Sequence, residues 1–216
     1  MRIKTTALIA LIAIGTIGSA TAQNDPKAKA ILDELSAKTK AYTTIKAEFV
    51  FTTETKDKKK TTQNGKIETK GPKYKLEIPG HEIYCDGKTV WDFIKDADEV
   101  QIKEPETGGD DAVNPSTIFT LYEKGYKYKF DGEDATTETI SLFPLNPDKK
   151  KFHTVKLVID KTKKQIISVK MMMKDGTVNT YEIKSFMGNS AIPDSDFTFD
   201  KKAHPGVEAE DLRDGK

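Results

Sequence analysis

Cysteine is nearly missing from this 216-residue chain, and Cys85 alone excludes an internal disulfide. Cys85 lies in an alternating segment beside Tyr84, where a free thiol is expected to pack as a small apolar group. Arginine is scarce too, with only Arg2 and Arg213. No charge of one sign dominates, since Lys+Arg is 35 against Asp+Glu 34. That balance argues against nucleic acid, because binding a polyanion needs a surplus of cations facing its phosphates. The histidines His81, His153 and His204 lack the spacing of metal ligands. There is no Gly-x-Ser-x-Gly elbow and no phosphate-cradling glycine loop. Asp110-Asp111 reads as solvated loop charge, and Asp194-Ser195-Asp196 as a turn. The expectation is a binding protein rather than an enzyme, with no cofactor and no metal.

Long apolar runs are also absent beyond the N-terminus. Arg2 and Lys4 precede an apolar stretch from Thr5 to Ile17, shorter than a membrane span requires. Ala20-Thr21-Ala22 fits a small-x-small cleavage site. Residues 1–22 are therefore expected to be a signal peptide, cleaved before Gln23, and residues 23–216 one exported domain. No cysteine stands at the cleavage point to accept a lipid.

What remains is rich in alternation. Asp25-Pro26 is a helix start, and Ile31, Leu32, Leu35, Thr39 and Tyr42 follow at helical spacing. The period then changes to two, the signature of half-buried strands. Phe49 and Phe51 share one side of a strand, and Tyr74, Leu76 and Ile78 alternate with charged residues. Asp86-Gly87 and Asp175-Gly176 are hairpin signals, because these turns need positive φ. Trp91 and Phe93 fall on one side of the strand after the first hairpin. Tyr128, Leu142, Leu157, Val169, Met171, Tyr181 and Ile183 extend the apolar rows. Ile167 and Met173 are assigned to the row of Val169, and His153 to the inward register of its strand. Between the strands, Asn114-Pro115 opens a short helix to Lys124, with Ile118, Leu121 and Tyr122 on one face and Gly125 ending it. The expected fold is α+β. It is one strongly curved antiparallel sheet, an incomplete β-barrel, of roughly ten strands with two helices covering its concave face.

These residues resemble the LolA family of periplasmic outer-membrane lipoprotein carriers over nearly the whole exported chain. Lys46-Ala47-Glu48-Phe49 after the first helix is similar to the family's Ala-x-Phe strand. Asp86-Gly87-Lys88-Thr89-Val90-Trp91 resembles its Asp-Gly-Lys-x-Leu-Trp hairpin. Asn114-Pro115 with Ile118-Phe119-Thr120-Leu121 resembles its inserted helix. Phe197-Thr198-Phe199 followed by Pro205-Gly206-Val207 is similar to its C-terminal signature. The resemblance implies a monomeric periplasmic carrier that shields the acyl chains of lipoproteins. Its cavity would be lined by Phe49, Phe51, Tyr74, Leu76, Trp91, Phe93, Tyr128, Leu142, Leu157, Val169, Met171, Tyr181 and Ile183. Ile118, Phe119, Leu121 and Tyr122 would form a lid. The implied partners are an inner-membrane LolCDE-type ABC transporter as donor and a LolB-like or other outer-membrane acceptor. A lipoprotein-sensing module, or a carrier of another amphiphile, is the alternative on the same scaffold. One position departs from the family: Gly71 stands before Pro72, where relatives carry an arginine that latches the lid. Lys70 is adjacent but points to the opposite face of a strand.

Overall fold

The computed structural model describes residues 25–105 and 120–213. One α-helix, α1 (Pro26–Lys40), precedes the sheet. The strands are β1 (Ile45–Glu54), β2 (Lys60–Lys70), β3 (Lys73–Ile78), β4 (His81–Cys85), β5 (Val90–Ile94) and β6 (Glu99–Lys103). They continue as β7 (Tyr126–Glu133), β8 (Thr137–Pro144), β9 (Phe152–Asp160), β10 (Gln165–Met173), β11 (Val178–Gly188) and β12 (Glu208–Asp211).

All twelve form one sheet in the order β12-β6-β5-β4-β3-β2-β1-β11-β10-β9-β8-β7. Every pairing is antiparallel except that of β12 with β6. The ends of the order, β12 and β7, do not pair, so the result is an incomplete, curved barrel. Short turns join the antiparallel neighbours that are consecutive in the chain, whereas β1 and β11 pair from opposite ends of it. At the Asp86-Gly87 hairpin, Asp86 Oδ1 accepts from the amides of Lys88 and Thr89, both at 2.8 Å.

α1 begins where the sequence places it. Asp25 caps it, accepting from Lys27 N at 2.9 Å and Ala28 N at 3.2 Å. The same carboxylate accepts from Phe130 N at 3.1 Å, and Asp25 N donates to Tyr128 O at 3.4 Å. These backbone amides, Phe130 foremost, hold its carboxyl below the ordinary aspartate range. One residue thus starts the helix and occupies hydrogen-bonding groups of edge strand β7, which would otherwise invite pairing with another chain.

The helix turns Ala28, Ile31, Leu32 and Leu35 onto β7–β10, where they join Ile140, Leu142, Val155, Leu157, Ile159, Val169 and Met171 in one core. The sheet face under α1 is called the inner face below. A register shift between Ile166 and Ser168 replaces the expected Ile167 with Ile166, which is buried in this core. The bulge takes up one residue and so exchanges faces. His153, expected inward, is exposed beside Thr154 Oγ1 at 2.8 Å.

Candidate functional site: the inner face of the open barrel

The register settles which side chains share the inner face. From β1, Ala47, Phe49 and Phe51 point there, opposite Ile67, Gly65 and Gln63 of β2. On the other side of β1, Phe49 faces Ile183 and Phe51 faces Tyr181 of β11. Tyr181 pairs in turn with Val169, Val169 with Leu157, and Leu157 with Ile140. Ile67 pairs with Leu76, and Leu76 with Ile83. A continuous apolar band therefore crosses the sheet from β4 to β8.

The band is packed unevenly. Leu142, Leu157, Val169 and Met171 lie in the core beneath α1. Tyr128 is half-buried against the same core. Over β1–β3 and β11 the buried residues are Ile45, Ala47, Phe49 and Ile67, and no residue of α1 joins them. Around them Phe51, Leu76, Ile78, Tyr181, Ile183 and Phe186 are only half-buried. Phe51 and Tyr181 stack with ring centroids 4.7 Å apart, and Phe49 meets Tyr181 at 6.0 Å. The apolar surroundings push the Tyr181 phenol pKa up.

Gly65 is the seat of this aromatic group. The Phe49 ring lies on its Cα, in the space a Cβ would occupy. Beside it, β3 stops at Ile78 while β2 runs on, and a cleft of about 460 Å³ opens there. Phe49, Gly65, Ile78 and Pro79 back it, but Glu48, Val50, Asn64, Lys66, Glu77 and Lys184 stand in the outer register, so this cleft opens on the outer face and is separate from the apolar band.

Two expected cavity residues lie on the other side of the sheet. Trp91 pairs with Tyr84, Tyr84 with Lys75, and Lys75 with Glu68, so Trp91 and Phe93 share the outer face with charged residues. Their aromatic side is covered there by the C-terminal segment. Phe199 lies 5.5 Å from Phe93 and 5.9 Å from Tyr84 between ring centroids, and Val207 completes the cluster. A hairpin with one aromatic face must bury it, and here the cover comes from outside the barrel. Tyr74 keeps the inner register of Leu76 but is buried in a separate cluster with Cys85 and Val90. Burial pushes the Cys85 thiol pKa up, which leaves it protonated and inert.

Of the expected lid, Ile118 and Phe119 lie outside the described residues. Leu121–Glu123 forms a 3-10 turn rather than α-helix. Tyr122 is buried in the α1 core. Glu123 ties this turn to α1, accepting from Ser36 Oγ at 2.6 Å and pairing with Lys40 at 3.0 Å. Among the described residues no group of His, Cys, Asp and Glu could hold a metal ion, and no helix is long and apolar enough to cross a membrane.

The profile of the family described as outer membrane lipoprotein carrier protein LolA matches residues 18–176. The chain belongs to the LolA family. No curated protein matches the sequence. Among solved structures, an uncharacterized conserved protein from Thermus thermophilus superposes with a TM-score of 0.57 at 11% identity, covering 86% of this chain and 99% of that one. A LolA superfamily protein from Nitrosomonas europaea gives 0.46 at 13% identity over 81% and 98%. LprF from Mycobacterium bovis gives 0.47 at 12% identity over 79% and 97%. The Thermus likeness shows a shared fold.

Where the resemblance to LolA relatives expects a latching arginine, Gly71 has φ +57 in the turn between β2 and β3. That conformation strains any residue with a Cβ. Lys70 and Lys73 instead grip the C-terminal segment on the outer face. Their ammonium groups reach Asp194 at 2.7 and 2.6 Å, and Lys70 also donates to Ile192 O at 3.2 Å. The two lysines hold the Asp194 carboxyl at about 2, well below its ordinary 3.8. This clamp was not visible in the sequence, whereas Gly65 left a trace there: a glycine inside a strand marks a close approach.

Proposed function

We propose that this protein is a soluble periplasmic carrier that holds the acyl chains of lipoproteins against its inner face and delivers them from the inner to the outer membrane. The observation that carries this reading is the half-buried apolar band over β1–β3 and β11, continuous with the core but not covered by α1. Membership of the LolA family supports it.

Acyl chains resist transfer into water by about 0.8 kcal/mol per methylene. A carrier therefore has to cover them with apolar surface and still let them go. Phe51, Leu76, Ile78, Tyr181 and Ile183 offer that surface without a nucleophile or acid–base pair among them. The carrier acts by binding alone, receiving cargo from a LolCDE-type ABC transporter and passing it to an outer-membrane acceptor.

Two measurements test the proposal. Organic extracts of the natively purified protein should contain acyl chains by mass spectrometry. The purified protein, added to spheroplasts, should bring a diacylated lipoprotein into the soluble fraction. Protein that holds no acylated molecule and leaves all lipoprotein on the membrane would overturn it.

A further inference from the structure

One end of the sheet carries three turns that the acyl-chain site does not use. They are residues 55–59 between β1 and β2, 145–151 between β8 and β9, and 174–177 between β10 and β11. The turns touch. Lys174 N donates to Lys151 O at 2.9 Å, and Lys174 Nζ donates to Pro147 O at 2.7 Å. A Cβ at Gly176 would stand 3.5 Å from Lys56 Cβ. Together they bear seven lysines (Lys56, Lys58, Lys59, Lys174 and the three at 149–151) against Asp57, Asp148 and Asp175. In a chain with 35 basic and 34 acidic residues, that is a local surplus of four positive charges.

Apolar side chains project at the same place. Four large hydrophobic residues are exposed among the described residues, and two of them, Phe143 and Leu145, stand at the end of β8 and in the turn after it. Phe143 is 38% and Leu145 53% exposed. Phe143 points to the outer face beside Lys127, its partner on β7. An exposed apolar tip gains little in water, and the lysines on the turns at the same end of the sheet repel other cations. Both features are satisfied by one kind of partner.

We propose that this end of the barrel docks on an anionic lipid surface, with Leu145 and Phe143 entering the interface and the lysines of these turns facing lipid phosphates. A nucleic acid would match the lysines but would leave the apolar tip unused. The lysines lie on three turns of one sheet end, so they can approach a plane together. Each lysine near an anionic bilayer strengthens partitioning roughly fivefold, and salt weakens the attraction within about a Debye length. Docking is separate from acyl-chain uptake, which uses the inner face.

The test is co-flotation of the processed chain beginning at Gln23 with vesicles of phosphatidylethanolamine and phosphatidylglycerol, and with vesicles of phosphatidylcholine alone. Binding to the anionic vesicles at low salt and its loss at high salt are expected. Lys56→Gln with Lys59→Gln should weaken binding about tenfold or more. Leu145→Ser should weaken it about fivefold, reading the apolar insertion separately. Lys88→Gln with Lys163→Gln, at the opposite end of the sheet, should leave it unchanged. Circular dichroism and uptake of a fluorescent diacyl probe, measured on each variant, report fold and inner-face binding independently. Equal binding to both vesicle types overturns the proposal. So does equal loss from variants at either end, or capture of the protein by heparin with no vesicle binding. No change on replacing Leu145 also overturns the apolar contact.

Discussion

Leu157 and Leu76 occupy the same inner face, yet the first is 1% exposed beneath α1 while the second is only half-buried. Around Leu157 the neighbours Ile140, Leu142, Val155 and Ile159 are closed off almost completely. Around Leu76, the side chains of Phe51, Ile78, Tyr181 and Ile183 keep part of their surface open. Similar apolar composition therefore serves two purposes. Beneath α1 it is the core that holds the barrel together. Over β1–β3 it is surface that folding leaves incompletely covered, and so surface that a ligand can still cover.

The sharpest way to break this comparison is to cut the closed region. Leu157→Ala should destabilise the protein by about 3 kcal/mol, the lost transfer energy plus a cavity that close-packed neighbours cannot refill. Urea unfolding measures it. A loss under about 1 kcal/mol would show that the region beneath α1 collapses easily and is not a firm core.

The opposite substitution belongs in the open region. Leu76→Asp should leave the fold in place, because water already reaches this side chain. Affinity for a fluorescent diacyl probe should fall about tenfold, equivalent to about 1.4 kcal/mol. If the variant unfolds while keeping its affinity, the two regions have been assigned the wrong way round.

Gly65 marks the seam. In Gly65→Ala the new Cβ would enter the space of the Phe49 ring, which would have to leave its place beside Tyr181. The gain from a stiffer strand partly offsets that displacement, so a net loss of about 1 kcal/mol is expected. Tyr181 should also report the movement through its ring resonances. Unchanged resonances would mean that Phe49 does not rest on Gly65.

Much of this division could not be read from the sequence, for identifiable reasons. Alternation at Phe49, Phe51, Tyr74, Leu76, Leu157 and Val169 fixed the rows, since side chains in a strand change face at every residue. Asp25-Pro26 and the Asp-Gly turns fixed α1 and two hairpins, because those are local effects. Trp91 and Phe93 were misplaced because alternation tells two faces apart without saying which is inner. That depends on the pairing of Trp91 through Tyr84 to Lys75, and on a cover formed by Phe199 and Val207 more than a hundred residues later. Ile167 was misplaced because one bulge reverses every face beyond it. The closed and open regions were indistinguishable for the same reason: only the path of α1 over β7–β10 separates Leu157 from Leu76.

The smallest expected effect lies on the outer face and serves as a control for both regions. Lys70 and Lys73 hold Asp194 ionised to about pH 2, below the ordinary 3.8 of an aspartate. A depressed folded-state pKa stabilises the fold above the unfolded value and ceases to do so as pH falls through the folded one. The clamp should therefore be intact above about pH 4 and lost between about pH 4 and pH 2. The pair is exposed, so salt screens it and the change in global stability should be slight. The local effect should be clearer. In Asp194→Asn, amides around Phe197 and Phe199 should exchange faster at pH 7, while those of β9 and β1 should not change. Acidifying the parent protein to pH 2 should reproduce that loosening in the C-terminal segment. Faster exchange at Leu157 or Phe51 would show that the outer clamp supports the inner face, and the two faces could no longer be treated as separate.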